Sequence, residues 1–457
     1  MAGLDRYARF RRDFAGRTLH AIGSVVKGER CPVSLLKSPL AFLGGRAFNA
    51  PSFYFPTDPA AAREALRSPD LERPEYVNRP IRAWAGRSLL FTSGEHHAAL
   101  RRALNEPFLK RNVDGHANYM REQAARYLAE LGTGERLLVN IVPFIQTYVA
   151  KVSARCFFGC ELSDAEALRL IAAVNEAEQQ SIPQISRLPL LRRLPTRSNQ
   201  AFHRAFGELR SFADRFLRQR PEAPRASTLF IDVLKRAEIP VDCETSGRRA
   251  SRGPRRALTH DEQINEIIGM LIASTGTTAA TISWAVYLLA RHEDAQDEIF
   301  SLMIEPSDSP TSPLQAVMME TLLHKAPAAV IGREAVRDTT LGGQPIKKGG
   351  IVPVCPYWAH RNSPHWDHVD RFDPRRFLVP QADSKTRVAQ GKAFVAFGDG
   401  PYECSGKWFA LLEGEVFLEE LLKSFRLEVA GRPESPVGDH LIHRLEAPCL
   451  VDFVRRG

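Results

Sequence analysis

From residue 94 to about residue 234, apolar positions recur with the 3.6-residue period of helices. Two amphipathic stretches stand out, at 113–131 and 137–158. A Pro- and Arg-rich connection, 182–198, interrupts this region, and a basic Gly/Ser-containing one, 240–256, closes it. A long apolar-periodic segment follows. Thr259 and Glu262 fit a capping box, so the spacing predicts a helix over His260–Arg291, roughly 50 Å long at ~1.5 Å per residue. A turn-rich stretch at 305–313 precedes a helix at 314–325. Extended and turn signals cover 330–336, 341–343 and 351–354, while 355–380 is rich in aromatics, Pro and His without a period. A last long helix is expected over 407–425. The first ~90 residues read as mixed, with a short apolar alternation at 52–55 and a helix at 59–66. The pattern as a whole is mainly α with a small β region around one large core, and the reading takes residues 1–457 as a single domain.

Residues 267–290 carry no charge and are long enough to span a bilayer. Six of them are Ser or Thr, clustered around Gly276, which favours a buried core helix and no membrane span. The N-terminus is charged throughout and lacks the apolar core of a secretory signal. Sixty-two Lys+Arg against 53 Asp+Glu leave +9. The densest basic runs, 191–197 and 248–256, fall in connections without interleaved aromatics, so a nucleic-acid platform is not expected. Net positive charge suits steering toward an acidic protein partner. The seven cysteines include no C-x-x-C pair, which removes zinc-ribbon and thioredoxin readings and points to a reducing, cytoplasmic setting. Cys156 and Cys160, four apart among phenylalanines, read as core residues of one helix.

The segment Phe394-Val395-Ala396-Phe397-Gly398-Asp399-Gly400-Pro401-Tyr402-Glu403-Cys404-Ser405-Gly406 concentrates the candidate chemistry. Its glycines allow a tight turn and close approach of the backbone to another group. A helix follows at once, so Cys404 sits at a helix N-terminus, where the dipole and free N–H groups favour a thiolate. A thiolate in such a loop is a soft metal ligand.

The spacing F-x-x-G-x-x-x-C-x-G, from Phe397 through Gly400 and Cys404 to Gly406, resembles the heme-binding signature of the cytochrome P450 superfamily. That resemblance covers about residues 90–430. It implies the cytochrome P450 fold, heme b (iron protoporphyrin IX) as cofactor and Cys404 as axial iron ligand, with Phe397, Gly398 and Gly406 shaping its loop. Ala273-Ser274-Thr275-Gly276-Thr277-Thr278 is similar to the family's oxygen-activation motif. Ala273 would lie against the heme, and Thr277 would help deliver protons to dioxygen, with Thr278 beside it. His97, Arg101 and Arg333 match positions that meet the heme propionates. The activity implied is monooxygenation of a small hydrophobic substrate with dioxygen, fed by an acidic ferredoxin and its reductase. Many bacterial members of this kind tailor natural products. The mostly apolar stretches 76–90, with Trp84, 272–277 and 328–331 are the candidate pocket lining.

Two departures stand against the family pattern. The acid usual before the threonine is Gly276, and the arginine usual three residues after Glu320 is Leu323. Arg376, in Phe372-Asp373-Pro374-Arg375-Arg376-Phe377, is the expected partner of Glu320, with His324 the weaker candidate. Tyr402 stands where relatives often carry His or Arg. These departures keep open a heme-thiolate enzyme running a rearrangement, coupling or peroxide-dependent step. A non-catalytic heme protein is the further alternative.

Overall fold

The computed structural model describes residues 21, 22, 25, 33–36, 52–186, 194–220, 226–241, 254–304, 308–430, 437–439 and 442–456. Strands β1 (Val33–Leu36) and β2 (Phe53–Pro56) lead into α1 (Pro59–Arg67), β3 (Leu71–Glu72), α2 (Glu75–Ala85) and α3 (Gly94–Leu104). Then come α4 (Lys110–Asp114), α5 (Ala117–Ala129), β4 (Arg136–Asn140), α6 (Ile141–Phe158), α7 (Asp164–Ser186), α8 (Arg197–Gln219) and α9 (Phe230–Arg236). The pair β5 (Glu238–Pro240) and β6 (Arg255–Ala257) precedes α10 (His260–Arg291), α11 (Glu293–Ile304) and α12 (Pro313–Lys325). Strands β7 (Ile331–Ala335), β8 (Thr339–Leu341), β9 (Gln344–Ile346) and β10 (Ile351–Val354) are followed by α13 (Pro356–Arg361), α14 (Ser384–Ala393) and α15 (Lys407–Ser424). The chain ends in β11 (Phe425–Val429), β12 (Val437–Asp439), β13 (His443–Leu445) and β14 (Leu450–Arg455).

Helix α10 is the axis of the fold. Thr259 accepts from the Glu262 N–H while the Glu262 carboxylate accepts from the Thr259 N–H, so the capping box fixes its first turn. Ile264, Ile267, Ile268, Leu271, Ile282 and Val286 are buried along it, against α6, α8, α12 and α15. It is long and apolar enough to cross a membrane, yet 78% of its apolar window is buried inside the protein. Its low charge serves a core helix packed on all sides.

Beside the helices stands a five-stranded sheet in the order β1-β2-β10-β7-β3. Only β2 and β10 run parallel within it. The register pairs Arg333 with Val352, which sends the Arg333 side chain into the protein, where it is 1% exposed.

Several segments depart from the periodicity reading for local reasons. The stretch 113–131 is two helices, broken at Gly115 where the His116 N–H turns back to the Val113 carbonyl at 2.9 Å. Residues Leu137–Asn140 are strand because they pair with β14, a non-local partner that overrides helical period. Helix α6 starts immediately after, with Pro143 in its first turn, where a missing N–H costs nothing. Helix α7 runs on to Ser186, past Pro183, so the 182–198 connection is shorter than expected; residues 187–193 lie outside the described set. In the 240–256 connection, Glu238–Pro240 and Arg255–Ala257 pair as strands, with 242–253 outside the described residues. Gly159 ends α6 in the left-handed region (φ +67°), which puts Cys160 beyond the helix, though buried like Cys156. Helix α14 has no apolar face and rests on its cap, Asp383 accepting from the Thr386 N–H at 3.0 Å.

Candidate functional site

The Cys404 loop is a compact, cross-braced turn. The Cys404 N–H donates to the Phe397 carbonyl at 2.9 Å, and the Glu403 N–H to the Gly400 carbonyl at 3.1 Å. Gly398 and Gly400 have φ of +72° and +70°, which side-chain-bearing residues rarely adopt. A Cβ at Gly400 would also stand 2.8 Å from the Leu66 carbonyl of α1, so the loop and that helix touch through bare backbone. Asp399 secures the contact by ion pairs to Arg63 at 2.8 Å and Arg67 at 2.9 Å. From the other side, Arg101 of α3 donates to the Glu403 carbonyl at 2.8 Å and to the Ser405 hydroxyl.

Cys404 itself combines two properties. Its own surface is open, while the surrounding protein is dense enough that burial raises the thiol above its ordinary value, against the Gly406 N–H and then the Arg101 charge, which lower it. A sulfur at the bottom of a deep concavity has both. The helix N-terminus alone therefore does not make Cys404 a thiolate, contrary to the sequence expectation. A bound cation would, since a metal deprotonates a coordinating thiol outright.

Above the loop lies a group of cations with few acids. Arg73 and Arg333 both stack over the Tyr402 ring, at 4.8 and 4.9 Å from its centre. Burial and mutual repulsion bring Arg73 down to about 10, and burial brings Arg333 to about 10. His97 is 2% exposed with its ring 4.5 Å from Tyr402, and burial next to Arg73, Arg101 and Arg333 depresses it to about 3. Three donor atoms here, His97 Nε2 and Arg333 Nε and Nη2, are buried without a hydrogen-bond partner. Unpaired buried donors are costly, the charged Arg333 ones most of all, and a ligand with two carboxylates would satisfy them. The donor set therefore fits heme: a sulfur ligand below, and cations and orphaned N–H groups at the edge. Arg73 was missed in the sequence because nothing in its local spacing marks it. Arg101 is brought to the site but braces the cysteine loop.

Helix α10 carries the second set of candidate residues. Ile272, Ala273 and Thr277 keep part of their surface open, while Thr275, Gly276 and Thr278 are buried. The Thr277 hydroxyl donates to the Ala273 carbonyl at 2.7 Å and Thr275 to the Leu271 carbonyl at 2.8 Å. Of the expected pocket lining, Ala328, Val330 and Ile331 are also partly open. Trp84 is 39% exposed and packs edge-on against Phe202 and His203 of α8.

Behind the loop, Glu320 is 0% exposed and fully partnered. Its carboxylate accepts from Arg376 Nε at 2.7 Å, the Asp373 N–H at 2.8 Å and His324 Nε2 at 3.0 Å. His324 Nε2 faces a second acceptor, the Arg371 carbonyl at 3.2 Å, so this nitrogen carries the proton. Leu323 is 0% exposed among Ala316, Trp366, Phe377 and Ala393. Its side chain fills apolar space, and its carbonyl accepts from His360 Nδ1 at 3.1 Å. The other His360 nitrogen accepts from the Val395 N–H at 3.0 Å, tying α12 to the start of the cysteine loop.

The family model described as "Cytochrome P450" matches residues 52–448, a wider span than the resemblance read from the motifs. A cyclooctat-9-en-7-ol 5-monooxygenase of Streptomyces melanosporofaciens is 24% identical over 82% of this chain and 80% of its own length. A pentalenene oxygenase of Streptomyces avermitilis is 25% identical over 83% and 82%. Among solved structures, the heme domain of cytochrome P450DA superposes with a TM-score of 0.78 at 18% identity, covering 98% of this chain and 95% of that one.

Proposed function

Because the chain belongs to the cytochrome P450 family, we propose that this monooxygenase holds heme b on Cys404 and oxidises a small hydrophobic molecule. The observation that carries the assignment is the open Cys404 sulfur beneath buried, partnerless His97 and Arg333 donors. When bound there, heme supplies the redox chemistry, thiolate ligation favouring O–O cleavage. The chain's own residues do the rest. The Gly406 N–H steadies the sulfur. Phe397, Gly398 and Gly400 keep the loop turned so that the sulfur stays at the surface of the concavity. His97, Arg333 and Arg73 bind the two propionates, and Arg101 holds the loop against α3. Ala273 keeps α10 thin beside the cofactor. Thr277, whose own proton is engaged by Ala273, presents its lone pairs to the cavity, with Gly276 and Thr278 setting its height.

The substrate is apolar because Ile272, Ala273, Ala328, Val330 and Ile331 are the open side chains. Relatives named for cyclooctat-9-en-7-ol and pentalenene suit that reading. Electrons come from a separate acidic ferredoxin and its reductase, which the +9 charge would attract. The protein works in the cytoplasm as one heme domain spanning residues 1–457; the thiols of Cys156 and Cys160 agree with a reducing compartment. Purified protein, reduced under carbon monoxide, will show the strongly red-shifted Soret band of thiolate ligation. A histidine-type spectrum, or no heme, overturns the assignment. Turnover that requires neither dioxygen nor an electron donor would replace monooxygenation by another heme-thiolate step.

A further inference from the structure

We propose that Glu178 of α7 supplies, from a neighbouring helix, the acid that α10 lacks at Gly276, and passes protons to the Thr277 side of the cavity. The proposal rests on the oxygen-using active site described above. A Cβ at Gly276 would lie only 2.7 Å from Glu178 Oε1 and 3.5 Å from its carboxyl carbon. The carboxyl group of another helix thus occupies the spot where a side chain of residue 276 would begin. Glycine is what lets it in.

The two carboxyl oxygens are used differently. Oε2 accepts from Arg444 of β13 at 3.2 Å, and Arg444 also donates to Asn175 at 2.6 Å. Oε1, the oxygen against Gly276, is buried with no partner. Burial raises the acid to about 7, with Arg444 pulling the other way, so both protonation states are populated near neutral pH. Charged groups elsewhere around α7 are occupied. Arg82 of α2 pairs with Glu75, Lys151 of α6 with Asp164, Arg215 of α8 with Glu166, and Glu266 of α10 with the Leu89 N–H. Arg444 is the one charge that bears on Glu178 among the described residues.

The neighbouring hydroxyls cannot do this work alone. Those of Thr275 and Thr277 donate to backbone carbonyls of α10. A proton for the cavity must start on a group that can lose it. Glu178 gives its proton to a water held by the Thr277 lone pairs and becomes a carboxylate paired with Arg444. It regains a proton from bulk water through the 13% of its side chain that stays exposed. No electrons move in the exchange.

The test uses heme-loaded protein and dissolved dioxygen as the probe. Parent, Glu178→Gln and Glu178→Ala/Gly276→Asp are first checked for the thiolate-type carbon monoxide spectrum; its absence in the parent overturns the assignment of function and not this inference. Glu178→Gln keeps the acceptor for Arg444 and loses the transferable proton. Infrared difference spectra of the oxidised protein between about pH 5.5 and about pH 8.5 should show a carboxyl titrating near 7 that is missing in Glu178→Gln, while the carboxyl of Glu266, which burial raises to about 8, persists in both. Reoxidation of the chemically reduced protein by dioxygen should inflect over the same range, with Glu178→Gln slower by about tenfold or more and flat in pH. The double variant returns an acid to α10 in the space the glutamate vacated, and should restore the inflection. Normal heme with an unchanged infrared titration and pH profile in Glu178→Gln overturns the proposal. Should that variant fail to fold, a double variant with no pH inflection does the same.

Discussion

Glu320 and Gly276 mark two places where the chain departs from its family's pattern, and the repairs differ in kind. At Glu320 the missing cation is made good both on its own helix and from outside it. His324 stands one helical turn along the same helix, and Arg376 arrives within a contiguous motif. At Gly276 the missing acid has no substitute on its own helix. The carboxyl found there comes from residue 178, on another helix altogether. A loss on a helix can be answered in register, at i+4, or across a packing seam. The first, joined at Glu320 by Arg376 and the Asp373 N–H, keeps the buried ion saturated with partners. The second leaves one oxygen free, which suits a group whose task is to gain and lose a proton.

The contrast is broken most severely by Arg376→Ala. This leaves Glu320 buried with its chief counter-charge gone, and removing one partner of a buried pair costs ~3–5 kcal/mol. Urea denaturation and heme content should both register it. His324→Ala removes one charge-assisted hydrogen bond, typically worth ~1.5–3 kcal/mol, so its unfolding midpoint should fall less. Equal losses in the two variants would mean that the helix-borne partner matters as much as the distant one.

A third buried carboxyl sharpens the comparison because it has no repair at all. Glu413 of α15 is 0% exposed, and neither of its oxygens has a partner. Burial holds its acid well above the ordinary value. The folded chain therefore keeps a proton that the unfolded chain releases around pH 4.5, and stability falls as pH rises beyond that point. Glu413→Leu should stabilise the protein at neutral pH by about 1–3 kcal/mol. The gain should shrink on acidification toward the unfolded-state value. Thermal melts at several pH values, on parent and variant, measure it. A gain that does not vary with pH would place the cost in packing and not in ionisation.

What was legible in the sequence follows the same division between near and far. Helix α10 is readable end to end because its cap, Thr259 with Glu262, and its apolar period are both written within one segment. The cysteine loop is readable because Phe397 through Gly406 are consecutive. Arg73 is not, since its meaning comes from Arg333 and Tyr402, brought beside it by the sheet and the loop. Glu178 looks like any solvated acid on an amphipathic helix until Gly276 is seen opposite. Strand β4 reads as the start of a helix until β14, more than three hundred residues later, pairs with it. Local rules see capping, turns and periods; they do not see which side chain waits across a seam.

The guanidinium groups of Arg73, Arg101 and Arg333 have a consequence for how the enzyme is assembled. Gathering like charges in a poorly solvated corner is uphill, and the chain has few acids there to offset it. A ligand that binds only the folded chain adds its binding free energy to stability. One that also carries the missing negative charges relieves the strain at the same stroke. If heme binds as proposed, its capture and the final setting of the residues around β3, β7 and α3 form a single linked equilibrium, in which the cofactor would act as the last counter-ion of folding.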